Sequence, residues 1–168
     1  DLDPNYAFTK EIVSTSEAHT GAAEGTDPAI TDLTIGETVT YRLTATLGRR
    51  TTDSAQILDV LYIANGRLDI RSVTVTAGAA LSRSDGRAWD ADVSISDAQG
   101  LDGYADTVQI DFNTVVNDPT LSTATADEQI VILIEAVVVN DGENQHGDVI
   151  NNEGEFRFLQ DIDEDGVR

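Results

Sequence analysis

The chain contains no cysteine and no methionine, only three prolines, and nine aromatic residues among 168. Without cysteine, neither disulfide nor thiolate chemistry is available. With no methionine, even at position 1, the chain is expected to begin after processing or to be cut from something longer. No apolar run is long enough to span a membrane. The longest, Ile130 to Val139, is broken by Glu135 and reads as a core strand, so direct membrane insertion of this segment is not expected. Positive charge is scarce as well: 10 basic residues stand against 31 acidic ones, for a net charge of −21. Such a surface repels phosphate, which excludes nucleic-acid binding. Divalent cations or high salt are its natural surroundings. Nine of the ten basic residues are arginine, which leaves Lys10 as the single side-chain amine.

What is present is apolar residues at 40%, enough for a core, in short runs separated by turn residues. From Glu37 to Leu47 the alternation is strict. Val39, Tyr41, Leu43, Ala45 and Leu47 share one face, and Thr38, Thr40, Arg42, Thr44 and Thr46 the other, as in a half-buried strand. Further strands are expected at Tyr6–Ser14, Ala55–Ile63, Asp69–Ala77, Asp90–Ile95, Thr107–Val116, Gln129–Val139 and Glu155–Gln160. The turns fall at Gly48-Arg49-Arg50, Asn65-Gly66, Asp85-Gly86, Asp102-Gly103 and Asp141-Gly142. No segment keeps a 3.6-residue period and no internal repeat is visible. The expectation is one all-β domain, a two-sheet Ig-like or Cna-like sandwich of seven to nine strands over residues 6–160. Two polar stretches, Ser16–Asp32 and Asn117–Glu128, read as loops.

The chain ends are acidic. Asp161-Ile162-Asp163-Glu164-Asp165-Gly166 is the first half of a calcium loop: alternation points three carboxylates at one centre, and the glycine makes the bend. The other end begins Asp1-Leu2-Asp3-Pro4-Asn5. If a second copy followed the first, the junction would resemble the calcium-binding aspartate repeats of thrombospondin type 3 and dockerin modules. Asp161, Asp163 and Asp165 of one copy would then share calcium with Asp1 or Asp3 of the next. Residues 1–5 and 161–168 are accordingly read as linkers.

The segment Ile35-Gly36-Glu37-Thr38-Val39-Thr40-Tyr41-Arg42-Leu43 resembles the opening strand, G-E-x-V-T-Y-x-L, of a family of tandem Ig-like repeats on bacterial and archaeal surface proteins. The family's middle segment, V-x-D-x-L-P-x-G-L, corresponds to Ile57 to Leu68, where Asp59 and Leu61 match and the proline is missing. Its closing segment, N-x-x-G-x-x-x-x-N-x-A, corresponds to Asn144 to Gly154, with glycine in place of alanine. The resemblance implies a sandwich domain strung in tandem in adhesins, stalks or pilin-like proteins. It also implies kinship with fimbrial and collagen-adhesin domains that form a spontaneous Lys–Asn isopeptide bond beside a buried acid. Lys10, Asp59 and Asn152 fit that pattern.

Strand parity points the same way. Lys10 shares a face with Phe8 and Ile12, Asp59 with Ile57 and Leu61, and Asn152 with Gly154, Phe156 and Phe158, so each polar side chain falls among core-facing ones. Buried apart they would be costly; together they make sense. Glu135 is the alternative acid, since it shares a face with Val131, Leu133, Val137 and Val139. Asn151 is a fallback acceptor of the wrong parity.

His19 and His146 lie in expected loops without metal-ligand spacing. Asp141, Glu143 and Asp148 form an acidic loop that reads as a solvated turn. Trp89, near Arg83, Arg87 and Tyr104, reads as core or rim packing rather than a sugar platform. No nucleophile turn or phosphate loop is present, and no enzyme is expected. The expected role is a structural module or spacer of an extracellular, cell-surface filament or giant adhesin. Its partners would be neighbouring copies or modules of the same protein. A ligand-binding adhesin domain and a filament subunit that donates a terminal strand are the alternatives.

Overall fold

The computed structural model describes residues 6–17, 33–61, 67–100, 102–142, 144 and 152–159. These form an all-β sandwich of two antiparallel sheets. The strands are β1 (Ala7–Thr15), β2 (Thr38–Thr46), β3 (Thr51–Val60), β4 (Leu68–Ala77), β5 (Leu81–Arg83), β6 (Val93–Ser96), β7 (Thr107–Asn117), β8 (Gln129–Val138) and β9 (Glu153–Leu159). One sheet has the order β1-β2-β8-β4 and the other β5-β7-β3-β9, with β6 also paired to β7. The first and last strands are therefore edges of different sheets.

The alternation in β2 is realised as expected: Val39, Tyr41, Leu43 and Ala45 are buried, while the intervening threonines and Arg42 face out. Against them stand Ile130, Ile132 and Ile134 of β8, and across the sandwich Ile57, Val108, Ile110 and Phe112, all fully buried. Burial of such side chains, at about 1.5–3 kcal/mol each, is the main source of cohesion. The turn into β2 needs Gly36, whose φ is +87°. Beside it the buried Glu37 accepts from the Thr34 N–H at 2.8 Å.

A bulge in β3 decides which way Asp59 points. Thr52 is buried and so is Ala55, with Asp53 and Ser54 between them. Ser54 has φ +52°, Asn113 of β7 has φ +56°, and the register with both neighbours shifts here. The extra residue reverses the parity of the strand. Without it, alternation from Thr52 would turn Asp59 outward; with it, Ala55, Ile57 and Asp59 all face the core.

Two sequence expectations need correction. Glu135 is exposed on the outer face of β8 and is no alternative acid. β8 is apolar on both faces, and the inward set is Ile130, Ile132, Ile134, Ala136 and Val138. The short β5 was not anticipated. Its Arg83 side chain is buried at 1% exposure and bonds Asp85 at 2.8 Å, Asp92 at 2.6 Å and the Ala88 carbonyl at 3.0 Å. This guanidinium pins the excursion between β5 and β6. On that excursion Trp89 packs against Phe112, ring centroids 5.8 Å apart, as expected of a rim tryptophan. The expected loop at 117–128 ends in a short 3-10 turn, Thr125–Glu128.

Candidate functional site

Lys10, Asp59 and Asn152 meet at the seam between the two edge strands. Lys10 pairs with Leu43 across β1 and β2, which directs its side chain into the sandwich. Asp59 pairs with Gly154 across β3 and β9, and Asn152 immediately precedes β9. The amine Nζ of Lys10 contacts both Oδ1 of Asp59 and Oδ1 of Asn152. The Lys10 side chain is 14% exposed and that of Asp59 is wholly buried.

Burial is the dominant force on both ionisable groups. It pushes the Lys10 ammonium below its ordinary value, against the opposing pull of Asp59. It pushes the Asp59 carboxyl up, against the charge of Lys10 and the hydrogen bond that Lys10 donates. Both displacements move the proton from nitrogen to oxygen, toward a neutral amine beside a neutral acid. Two polar atoms of the cluster, Asp59 Oδ2 and Asn152 Nδ2, are buried without a hydrogen-bond partner. Groups of this kind are costly and rare in native interiors.

Two further residues shape the site, and the sequence reading gave neither a role. Tyr41 lies on the inner face of β2, its ring centroid 5.4 Å from Lys10 Nζ. Burial, then the charge of Asp59, pushes its phenol up to about 12, so it stays protonated. Gly154 leaves room for the acid: a Cβ there would stand 2.9 Å from Asp59 Oδ1 and 3.3 Å from Lys10 Cδ. The signal in the sequence was its position, two residues after Asn152 and on the same face. Beside the cluster an aromatic seam joins the edges. Tyr6 of the segment before β1 stacks on Phe158 of β9 with centroids 4.4 Å apart, and its hydroxyl lies 2.8 Å from Thr52 Oγ1.

The remaining site expectations fall outside the described residues. Asp1, Asp3, Asp161, Asp163 and Asp165 of the expected calcium sites lie there, as do His19, His146, Asn151, Glu143 and Asp148. Among the described residues, no group of three or more histidine, aspartate or glutamate side chains is placed to hold a metal ion.

No protein-family model matches the chain, and no curated protein matches it. The fold and site themselves define the class: a two-sheet β-sandwich whose first and last strands meet at a half-buried lysine and asparagine beside a fully buried aspartate.

Proposed function

We propose that the chain is a structural module of an extracellular, cell-surface filament or giant adhesin, in which Lys10 and Asn152 become joined by an intramolecular isopeptide bond. The observation that carries this reading is the half-buried contact of the only lysine with the Asn152 side-chain amide, in the company of the buried Asp59.

The chemistry follows from the arrangement. Neutral Lys10 Nζ attacks the Asn152 side-chain carbonyl carbon, while protonated Asp59 stabilises charge building on the carbonyl oxygen. Asp59 relays a proton from the attacking nitrogen to the departing Nδ2. One C–N bond forms, one breaks, and one ammonia leaves; no oxidant, metal or cofactor is consumed. The atom expelled is the buried Nδ2 that has no hydrogen-bond partner, so the reaction relieves an unfavourable burial. The step occurs once per chain, so it is self-modification rather than turnover.

Mechanical function rests on where the bond would lie. It would tie the first strand to the last, across 142 positions of sequence and from one sheet to the other. Tension on the two chain ends would then run through the bond and bypass the sandwich. Pulling single molecules by their ends tests this directly. A module whose chain between Lys10 and Asn152 never extends fits the proposal, whereas full extension of wild type under the forces that unfold Lys10→Met contradicts it. Calcium shared between Asp161, Asp163 and Asp165 of one copy and Asp1 or Asp3 of the next would stiffen module junctions.

A further inference from the structure

The two sheets have four edges, and three of them carry features that obstruct strand addition. β1 bears Lys10, Glu11 and a register shift between Ile12 and Ser14. β9 bears Glu153, Glu155 and Arg157. The outer side of β7 is divided between β5, of three residues, and β6, of four. β4 confines its own register shift to one end, between Ile70 and Ser72, where the Ile70 N–H donates to the Ala105 carbonyl at 2.8 Å. From Arg71 to Ala77 it reads Arg-Ser-Val-Thr-Val-Thr-Ala, with no proline, glycine, lysine or acid. Four of these seven residues, Val73 to Thr76, are β-branched, which suits a pleated strand. It pairs with β8, and among the described residues no strand pairs with its other side. In an antiparallel ladder, alternate N–H and C=O groups of such a strand point away from the sheet.

Charge sets this strip apart. The chain carries −21, yet the only charge between residues 71 and 77 is Arg71, and Asp69 balances it at 2.7 Å. A basic partner would find no carboxylate along the strip to recognise. The strand is complementary to itself instead. About a twofold axis through Thr74, Val73 of one copy faces Val75 of the other, Ser72 faces Thr76, and Thr74 faces Thr74. Ser72, Thr74 and Thr76 are exposed while Val73 and Val75 are half-buried, so this register sets outward residues against outward and inward against inward. A slip of one residue would oppose the two faces.

We propose that β4 is the docking edge for a second copy of this chain, paired antiparallel about Thr74, so that two four-stranded sheets become one of eight strands. Long-range repulsion between two acidic copies opposes this contact, and salt screens it. Self-association therefore strengthens as salt rises, the reverse of what capture of a basic partner would show.

Sedimentation equilibrium of the whole chain, over a range of concentration and sodium chloride, is the test. Wild type is expected to form dimers that tighten with salt. Thr74→Lys and Thr74→Glu each place like charges directly opposite one another and should weaken dimerisation by about fivefold. A mixture of the two variants should recover it. Thr74 is exposed, so both variants should keep the wild-type circular dichroism and melting behaviour. The two substitutions shift net charge in opposite directions, so a general charge effect cannot weaken both. Wild type that stays monomeric at every salt concentration, single variants that dimerise like wild type, or a mixture that recovers nothing would each overturn the proposal.

Discussion

Asp59 faces Gly154 across the β3–β9 ladder, and a methyl group on Gly154 would stand 2.9 Å from Asp59 Oδ1. Real side chains do not hold that separation, so the carboxyl would have to leave its place beside Lys10. Gly154→Ala should therefore slow formation of the Lys10–Asn152 bond and destabilise the unlinked fold by about 1–3 kcal/mol through overcrowding. The fraction of linked chain over time after refolding, read by mass, checks the first effect; chemical denaturation checks the second. Linking at the wild-type rate would mean that the glycine is not what admits the acid.

Removing either partner or the acid should leave the chain unlinked. Asp59→Asn keeps the shape and discards the exchangeable proton; Lys10→Met keeps the apolar stem and discards the amine. A cross-link closing a loop of 142 residues is worth about 5 kcal/mol in the chain-entropy account. That corresponds to a fall in melting temperature of ~10–20 °C for a domain of this size. Calorimetry of wild type against Lys10→Met measures it, and equal melting temperatures would count against the link.

Acid should loosen the excursion held by Arg83 before it unfolds the sandwich. Hydrogen bonding from Arg83, then from the Arg87 backbone, lowers the Asp85 carboxyl from 3.8 to about 2. A carboxyl depressed in the folded state adds stability above its unfolded pKa, and that contribution disappears as pH falls through the folded value. The window is thus between about pH 4 and pH 2, and Asp92, lowered chiefly by Arg83, titrates in the same direction. Trp89 is the only tryptophan and sits on this excursion, so its emission should shift to the red across that window. Arg83→Met should show the shifted emission already at neutral pH.

Calcium should raise the melting temperature of two copies joined in tandem, because only then do Asp161, Asp163 and Asp165 meet a following Asp1 and Asp3. A single copy should respond less, and sodium chloride at matched ionic strength should not reproduce the gain. An equal response to sodium would assign the acidity to salt adaptation rather than to an ion site.

Much of this arrangement was legible in the sequence because strand parity is a local rule. Phe8 beside Lys10, Ile57 and Leu61 around Asp59, and Phe156 and Phe158 after Asn152 each mark which way the polar residue points, whereas Ile12, expected on the inward face with Lys10, is 40% exposed beside the register shift of β1. Asp59 came out correctly because its inward neighbours lie beyond the bulge at Ser54, where alternation is undisturbed. The bulge itself left no apolar pattern to read. Parity failed for Glu135, since β8 is apolar on both sides and alternation there carries no sign. β5 is hard to read because three residues are too few to alternate, and because one of its two inward positions, beside Leu81, holds an arginine satisfied by Asp85 and Asp92. Tyr41 and Gly154 were placed on the right faces, but their part in the site depends on distances between strands far apart in sequence.

If the single lysine ends as an amide of Asn152, the intact mass of the purified, denatured chain will show it. The expected mass lies below the sequence value by one ammonia, with a branched peptide joining Lys10 to Asn152 after digestion. A mass equal to that of the sequence would contradict it, and the cluster of Lys10, Asp59 and Asn152 would then be a buried ion pair with an amide neighbour and no covalent strap.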